Sequence, residues 1–302
     1  MPSTVSSPEA GTSPCSVFTP GIPTEPGKVI WTGLRGDSFP LILANTVEQH
    51  DGPLVVITPD MQSAELLYEQ LEFFSNKDAP PVVIFPDWET LPYDNFSPHP
   101  DIISARLATL YGLTELQRGL LIVSVPTLLQ RLPPREFIYK NSLILSTGDK
   151  LKLDEVRTRL DSAGYRCVSQ VMEHGEFAIR GSLLDLYPMG TLLPFRIDLL
   201  DDEIESIKTF DCETQRSLEP QNDLRLLPAR EFPMDETAIR SFRQRYRAMF
   251  EGDPQNSNVY REVSQGIAPA GAEYYLPLFL EQTSTLFDYL PDSCCLLQMD
   301  AT

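Results

Sequence analysis

The sequence predicts an α/β protein in which a parallel-sheet domain is interrupted by a small, mostly antiparallel α+β domain. Three observations predict it. From Lys28 to about Asn141, short continuous apolar runs alternate with helix-length amphipathic segments. From Ser142 to Pro228, strand-length runs crowd together between turn residues. After Pro228 helical spacing returns, and one last apolar run follows. Apolar runs that do not alternate are strands buried on both faces, as in a parallel sheet covered by helices.

Taken in order, Val29–Thr32 is a short strand candidate and Phe39–Gln49 a helix. Leu54–Thr58 (LVVIT) is a buried strand bounded by Pro53 and Pro59. Met61–Ser75 has helical spacing at Leu66, Leu67, Leu71 and Phe74, and Val82–Phe85 is a second buried strand. Asp101–Gln117 follows Pro100 with apolar positions at Ile103, Leu107, Leu110 and Leu113, so it is a helix. Leu120–Val125 is another buried strand, with a short helix from Thr127.

The inserted part begins with a strand at Ser142–Ser146 and a helix at Asp154–Ala163 that stops at Gly164. Strands are expected at Arg166–Met172, Glu176–Arg180, Leu183–Tyr187, Phe195–Leu200 and Glu203–Phe210. His174-Gly175, Pro188-Met189-Gly190 and Asp201-Asp202 separate them as turns. Helices at Asp235–Glu251 and Val259–Gly266 precede a final strand at Cys294–Met299. The expected divisions are a disordered tail at 1–27, the first part of the α/β domain at 28–141, the inserted domain at 142–228, and the second part of the α/β domain, truncated, at 229–302.

Composition narrows the function. The tail is rich in Ser, Thr, Pro and Gly, and it has neither the apolar core of a signal peptide nor an Arg-rich amphipathic pattern. No run of about 18 apolar residues occurs, so no membrane span is expected. The net charge of −19 disfavours a phosphate-tracking surface, which binds by clustered Lys and Arg, and points to protein partners or to solubility. Five Cys at irregular spacing and three His make a metal site unexpected; free thiols in the cytoplasm is the plain expectation.

A parallel α/β domain invites a check for a nucleotide site. The candidate loop is Trp31-Thr32-Gly33-Leu34-Arg35-Gly36-Asp37-Ser38. A working phosphate loop needs several Gly, a Lys for the terminal phosphates and a Ser or Thr for Mg²⁺. Gly33 and Gly36 are in place, but no Lys follows, and Asp37 would repel phosphate. The loop is therefore degenerate, no cofactor is expected, and Asp37 is a candidate helix cap. No nucleophile elbow or zinc-protease motif is present either. The acidic run Asp201-Asp202-Glu203 is expected to be a solvated turn.

Two segments are far more particular. DWETLPYDNFSPHPDIISARL (87–107) leaves a buried strand through a loop dense in Pro and aromatics and ends on a helix carrying Arg106. EHGEFAIRGSLLDLYP (173–188) runs on through PFRIDLLDDEIESI (194–207). With LDSAGYR (160–166) and PAREFP (228–233), these strings resemble, in order and spacing, the N-terminal region of the bacterial transcription-repair coupling factors, from about Lys28 onward. Parts of the second segment are shared with the excision-repair helicase UvrB.

The resemblance implies a degenerate helicase-type nucleotide-binding domain interrupted by a small domain that recruits UvrA. It implies no ATPase for this chain. It also implies that RNA polymerase and double-stranded DNA are met through later domains of a longer protein, and that the recruiting surface is masked until the motor engages polymerase. A UvrB-like ATP- and DNA-binding helicase module is the alternative. The UvrA-binding residues carried over are Arg180, Arg196 and Leu200, the last in a Leu199-Leu200 pair where the family has two Phe. Strand geometry supports this choice. Arg196, Asp198 and Leu200 share one face, while Phe195, Ile197 and Leu199 face the core. From Glu173 to Asp211 there are nine acidic and three basic side chains, so both arginines are isolated cations, free to pair with a partner's carboxylate or with Asp185 or Asp198. In the first segment, Trp88, Tyr93 and Phe96 either pack the loop down or form a vestigial nucleic-acid surface.

Overall fold

A computed structural model describes residues 16–23, 27–76, 78–92 and 94–299. Its elements in chain order are α1 (Ser38–Gln49), β1 (Pro53–Thr58), α2 (Met61–Phe74), β2 (Val82–Phe85), α3 (Pro100–Leu113), β3 (Gly119–Ser124), α4 (Val125–Leu128), α5 (Arg135–Lys140), β4 (Leu143–Ser146) and α6 (Leu153–Ala163). There follow β5 (Arg166–Cys167), β6 (Glu176–Arg180), β7 (Leu183–Leu186), β8 (Phe195–Leu200), β9 (Glu203–Phe210), β10 (Ser217–Gln221) and β11 (Asp223–Leu226), then α7 (Glu236–Met249), α8 (Asn258–Ser264), α9 (Leu276–Phe279) and β12 (Cys295–Gln298).

The chain divides into two compact units. The first comprises Met1–Phe85, Leu116–Leu128 and Pro291–Thr302. It holds a four-stranded parallel sheet in the order β12-β1-β3-β2. All six residues of β3 are buried, as an unalternating apolar run requires. Leu43 and Val47 of α1 and Ala64, Leu67 and Leu71 of α2 close over Leu54, Val56, Leu120 and Ile122. Asp60 starts α2 by accepting the Ser63 amide at 2.7 Å, which holds its carboxyl below the usual range.

The second unit comprises Pro86–Glu115 and Leu129–Leu290. Its main sheet has the order β10-β9-β8-β7-β6-β5, antiparallel except for the β5–β6 pair, and β4 and β11 form a separate antiparallel ladder. One face of the main sheet is apolar and dry: Phe177, Leu184, Leu186, Ile197, Leu199, Ile204 and Ile207 are all buried. Gly164 ends α6 in the left-handed region at φ 95°, and a Cβ there would come within 2.9 Å of the Arg230 side chain. Helix α7 buries Ala238, Phe242 and Tyr246, spaced four apart, against Tyr260, Leu276 and Phe279. No helix among the described residues is long and apolar enough to cross a membrane.

Several expectations change. Val29–Thr32 is not a strand of the sheet; only Val29 makes a bridge, and residues 31–35 are irregular. The strand expected over Arg166–Met172 is two residues long, because Met172 and Glu173 turn their amides to the Glu176 carboxylate at 2.8 and 3.0 Å. α5, β10 and β11 were not expected. The tail expectation at residues 1–15 and 24–26 lies outside the described residues. Residues 16–23 include a turn fastened to α1, where Asn45 donates to Val17 O at 2.8 Å and Gln49 to Phe18 O at 3.2 Å.

Candidate docking face

The apolar face of the main sheet leaves the opposite face to carry the polar residues. Cross-strand register places Ala178, Asp185, Arg196 and Lys208 in one row, and Arg180, Leu183, Asp198 and Ser206 in the next. A β-bulge on β9 shifts the register between Asp198 and Leu199, yet Leu199 still faces the core and Leu200 the polar side. Ile197 and Leu199 are core residues as expected, whereas Phe195 is only half-buried.

Asp185 is the centre of this face. Its side chain is 1% exposed, and both candidate arginines end on it. Arg196, directly opposite on β8, grips it with two bonds, Nε to Oδ1 at 2.7 Å and a terminal nitrogen to Oδ2 at 2.9 Å. Arg180 reaches the same carboxylate diagonally from β6. One buried carboxylate facing two cations is a satisfied arrangement; a lone buried charge is not. Asp198, the other carboxylate considered for these arginines, forms no ion pair among the described residues.

The two arginines are not equivalent. The other terminal nitrogen of Arg196 donates to Gln215 O at 3.1 Å, and the guanidinium lies 5.0 Å from the centre of the Phe210 ring. Its bond to Asp185 holds the guanidinium pKa above its ordinary value, and the side chain is 18% exposed. Arg196 is therefore engaged within the chain, through the pairing with Asp185 that was one of the two alternatives open to it. Arg180 is different: 46% of its side chain is exposed, with donors left over. Leu200 is 65% exposed on the same face.

The degenerate loop is equally concrete. Gly33 and Gly36 have φ of 79° and 53°. Asp37 stands at the N-terminus of α1 but makes no capping bond; its carboxylate accepts from Gln70 at 3.1 Å instead. The Arg35 amide is taken by Ser38 Oγ at 2.6 Å. Asp37 thus puts a negative charge at the end of the helix without bonding its free amides.

The first motif segment proves to be anchored in packing. Arg106 is fully buried and donates to both oxygens of Glu231, at 2.6 and 3.2 Å, and to Pro86 O at 2.6 Å. Trp88 is buried too; its indole donates to Glu231 at 3.1 Å and its ring lies 4.7 Å from the Arg106 guanidinium. The loop is tied further on by Ser97, which donates to Glu273 at 3.2 Å and accepts the Gly271 amide at 3.1 Å. A Cβ on Gly271 would stand 2.2 Å from Asp94 O. Burial pushes the Glu273 carboxyl up to about 7, with Glu231 adding to the rise and Ser97 and Arg230 opposing it. Trp88 therefore packs, Phe96 is 69% exposed, and Tyr93 lies outside the described residues. Sequence reasoning quoted Arg106 and Glu231 only as parts of motifs; a charge in an apolar helix stripe was the available signal.

Comparison with known proteins bears on the polar face. The family model described as "UvrB interaction domain" matches residues 143–232. The chain is similar to the transcription-repair-coupling factor of Escherichia coli (strain K12), 49% identical over 265 residues, which is 87% of this chain and 23% of that protein. The Haemophilus influenzae protein of the same name is 45% identical over 94% of this chain and 25% of its own length. That of Bacillus subtilis (strain 168) is 25% identical over 88% of this chain and 24% of its own. The chain thus spans about a quarter of the length of these relatives.

Proposed function

From its place among the transcription-repair-coupling factors, as their N-terminal UvrB-like module, we propose that this chain recruits UvrA through the polar face of its main sheet. The observation that carries the reading is the pair of arginines converging on buried Asp185, with Leu200 exposed beside them, inside the segment matched to the UvrB interaction domain. Arg180 and Leu200 make the contact. Arg196 holds Asp185, and through it holds Arg180 in place. The exposed guanidinium takes a carboxylate or backbone carbonyl of the partner, and Leu200 covers its apolar rim.

The role in the whole protein is transcription-coupled nucleotide excision repair, with this module bringing UvrA to a stalled polymerase. RNA polymerase and duplex DNA are engaged, on this reading, by the parts of the relatives this chain does not span. The module hydrolyses no ATP, because Asp37 and the missing Lys leave the 33–38 turn without a cradle for the terminal phosphates. Calorimetry with Mg-ATP tests that half: measurable affinity would favour the UvrB-like helicase alternative.

The recruitment half is tested by titrating UvrA against the chain and against Arg180→Ala and Leu200→Asp. Both residues are substantially exposed, so both variants keep the fold. Each should weaken binding by on the order of 2 kcal/mol, about thirtyfold. Unchanged affinity in both would remove the face as the recruiting surface.

A further inference from the structure

Helix α7 has a second face that the recruitment reading does not use. Between Thr237 and Phe250 there are four arginines and no acidic residue, in a chain whose net charge is −19. Arg245 turns inward and donates to Pro277 O at 3.2 Å and to Leu280 O. The other three, Arg240, Arg243 and Arg247, are exposed, and their spacing of three and four puts them on one stripe. Among the described residues none of the three forms an ion pair. The stripe is about 10 Å long at ~1.5 Å per residue.

Beneath the stripe lies Tyr260 of α8. Its ring is fully buried, with the Arg247 guanidinium 5.5 Å from its centre. Its hydroxyl makes no hydrogen bond of ordinary geometry among the described residues, and the groups that act on it, Arg243 and Arg247, can only donate. Buried hydroxyls are nearly always satisfied, so one that faces only donors is short of an acceptor, which an anion seated on the two arginines supplies. Burial raises the phenol pKa, but Arg243 and Arg247 outweigh it and hold it below the ordinary value.

We propose that the exposed face of α7, formed by Arg240, Arg243 and Arg247 with the Tyr260 hydroxyl, is a contact site for the phosphate backbone of duplex DNA. A phosphodiester carries two non-bridging oxygens in tetrahedral directions. One such group can accept from Arg243 and Arg247 together, just above the Tyr260 hydroxyl, while Arg240 meets the next along the strand. The row of charge thus spans two successive phosphates of one strand. One carboxylate meets only part of a row this long, whereas a nucleic-acid strand repeats its charge along all of it. The surrounding negative charge makes the contact weak and local, an auxiliary grip for a module tethered to DNA by other means.

The test is fluorescence anisotropy of a labelled duplex with the intact chain at about 50 mM salt and above. Binding that weakens with salt is expected. Arg240→Gln/Arg243→Gln/Arg247→Gln should bind at least tenfold more weakly, with the salt slope reduced by about 2–3. Arg157→Gln/Arg159→Gln, which removes two exposed charges on α6, should stay within twofold. Tyr260→Phe should weaken binding severalfold with an unchanged circular dichroism spectrum. Absence of duplex binding at low salt, equal losses in the α6 control, or a hexaglutamate peptide competing as well as a duplex of equal charge would overturn the proposal.

Discussion

Arg106 on α3 and Arg180 on β6 each end on a buried carboxylate, Glu231 and Asp185, yet their surroundings differ. Arg106 is wholly buried, with Trp88 and Pro86 O closing its remaining sides, whereas nearly half of the Arg180 side chain stays in water. Both come from equally distinctive strings of sequence. The first cluster pins a proline-rich loop to the body of its unit. The second lifts a cation above a sheet. An arginine in a particular motif is thus a fastening when its whole guanidinium is enclosed, and a contact when only its carboxylate is.

Arg106→Leu should break the first cluster outright, leaving Glu231 charged, buried and short of its main partner, at a cost of about 3–5 kcal/mol in denaturant unfolding. A loss under about 1 kcal/mol would mean the cluster fastens nothing. Glu273→Gln probes the same region through pH. The folded carboxyl titrates at about 7 against an ordinary 4.5, so between those values the folded chain holds a proton that the unfolded chain has released. Stability from this group therefore falls as pH rises from about 4.5 to 7, and is level above that. The glutamine variant should be more stable than the parent at pH 8, by up to ~3 kcal/mol, and little changed at pH 4.

At the second cluster the effects move from folding to binding. Arg180→Ala leaves Asp185 still gripped twice by Arg196, so it should lower stability by less than ~1 kcal/mol while costing on the order of 2 kcal/mol of UvrA affinity. Equal losses in both measurements would erase the contrast with Arg106. The smallest effect sharpens the picture. Leu200→Phe restores the aromatic of the family pattern on an exposed position and should tighten UvrA binding by about 1 kcal/mol, read as a slower dissociation rate.

Much of this was legible beforehand. LVVIT and LLIV are buried parallel strands as expected, whereas VVIF is an edge strand half-buried at three of its four residues, and β6 to β9 followed from alternation and their turns. β10 escaped because SLEPQ is an edge strand exposed at every residue and interrupted by Pro220, with no apolar face to betray it. β5 was overestimated because Glu176 captures amides that a longer strand would have used. At the site, Arg180, Arg196 and Asp185 were each visible. That both arginines share one carboxylate depends on cross-strand register, which spacing along the chain does not encode. The enclosure of Arg106 was hidden for the same reason, since Glu231 lies 125 residues away.

The order β12-β1-β3-β2 also sets a timetable. β1 takes its outer neighbour, β12, from the far end of the described chain, with Leu54 paired to Cys295. On the ribosome, at roughly 5–20 residues per second, β1 waits on the order of ten to fifty seconds with one edge bare. That interval is long enough for the whole second unit to be made and to fold first. Until β12 arrives, the open backbone of β1 is an apolar strand edge exposed to wrong pairing, and a place for a chaperone to protect.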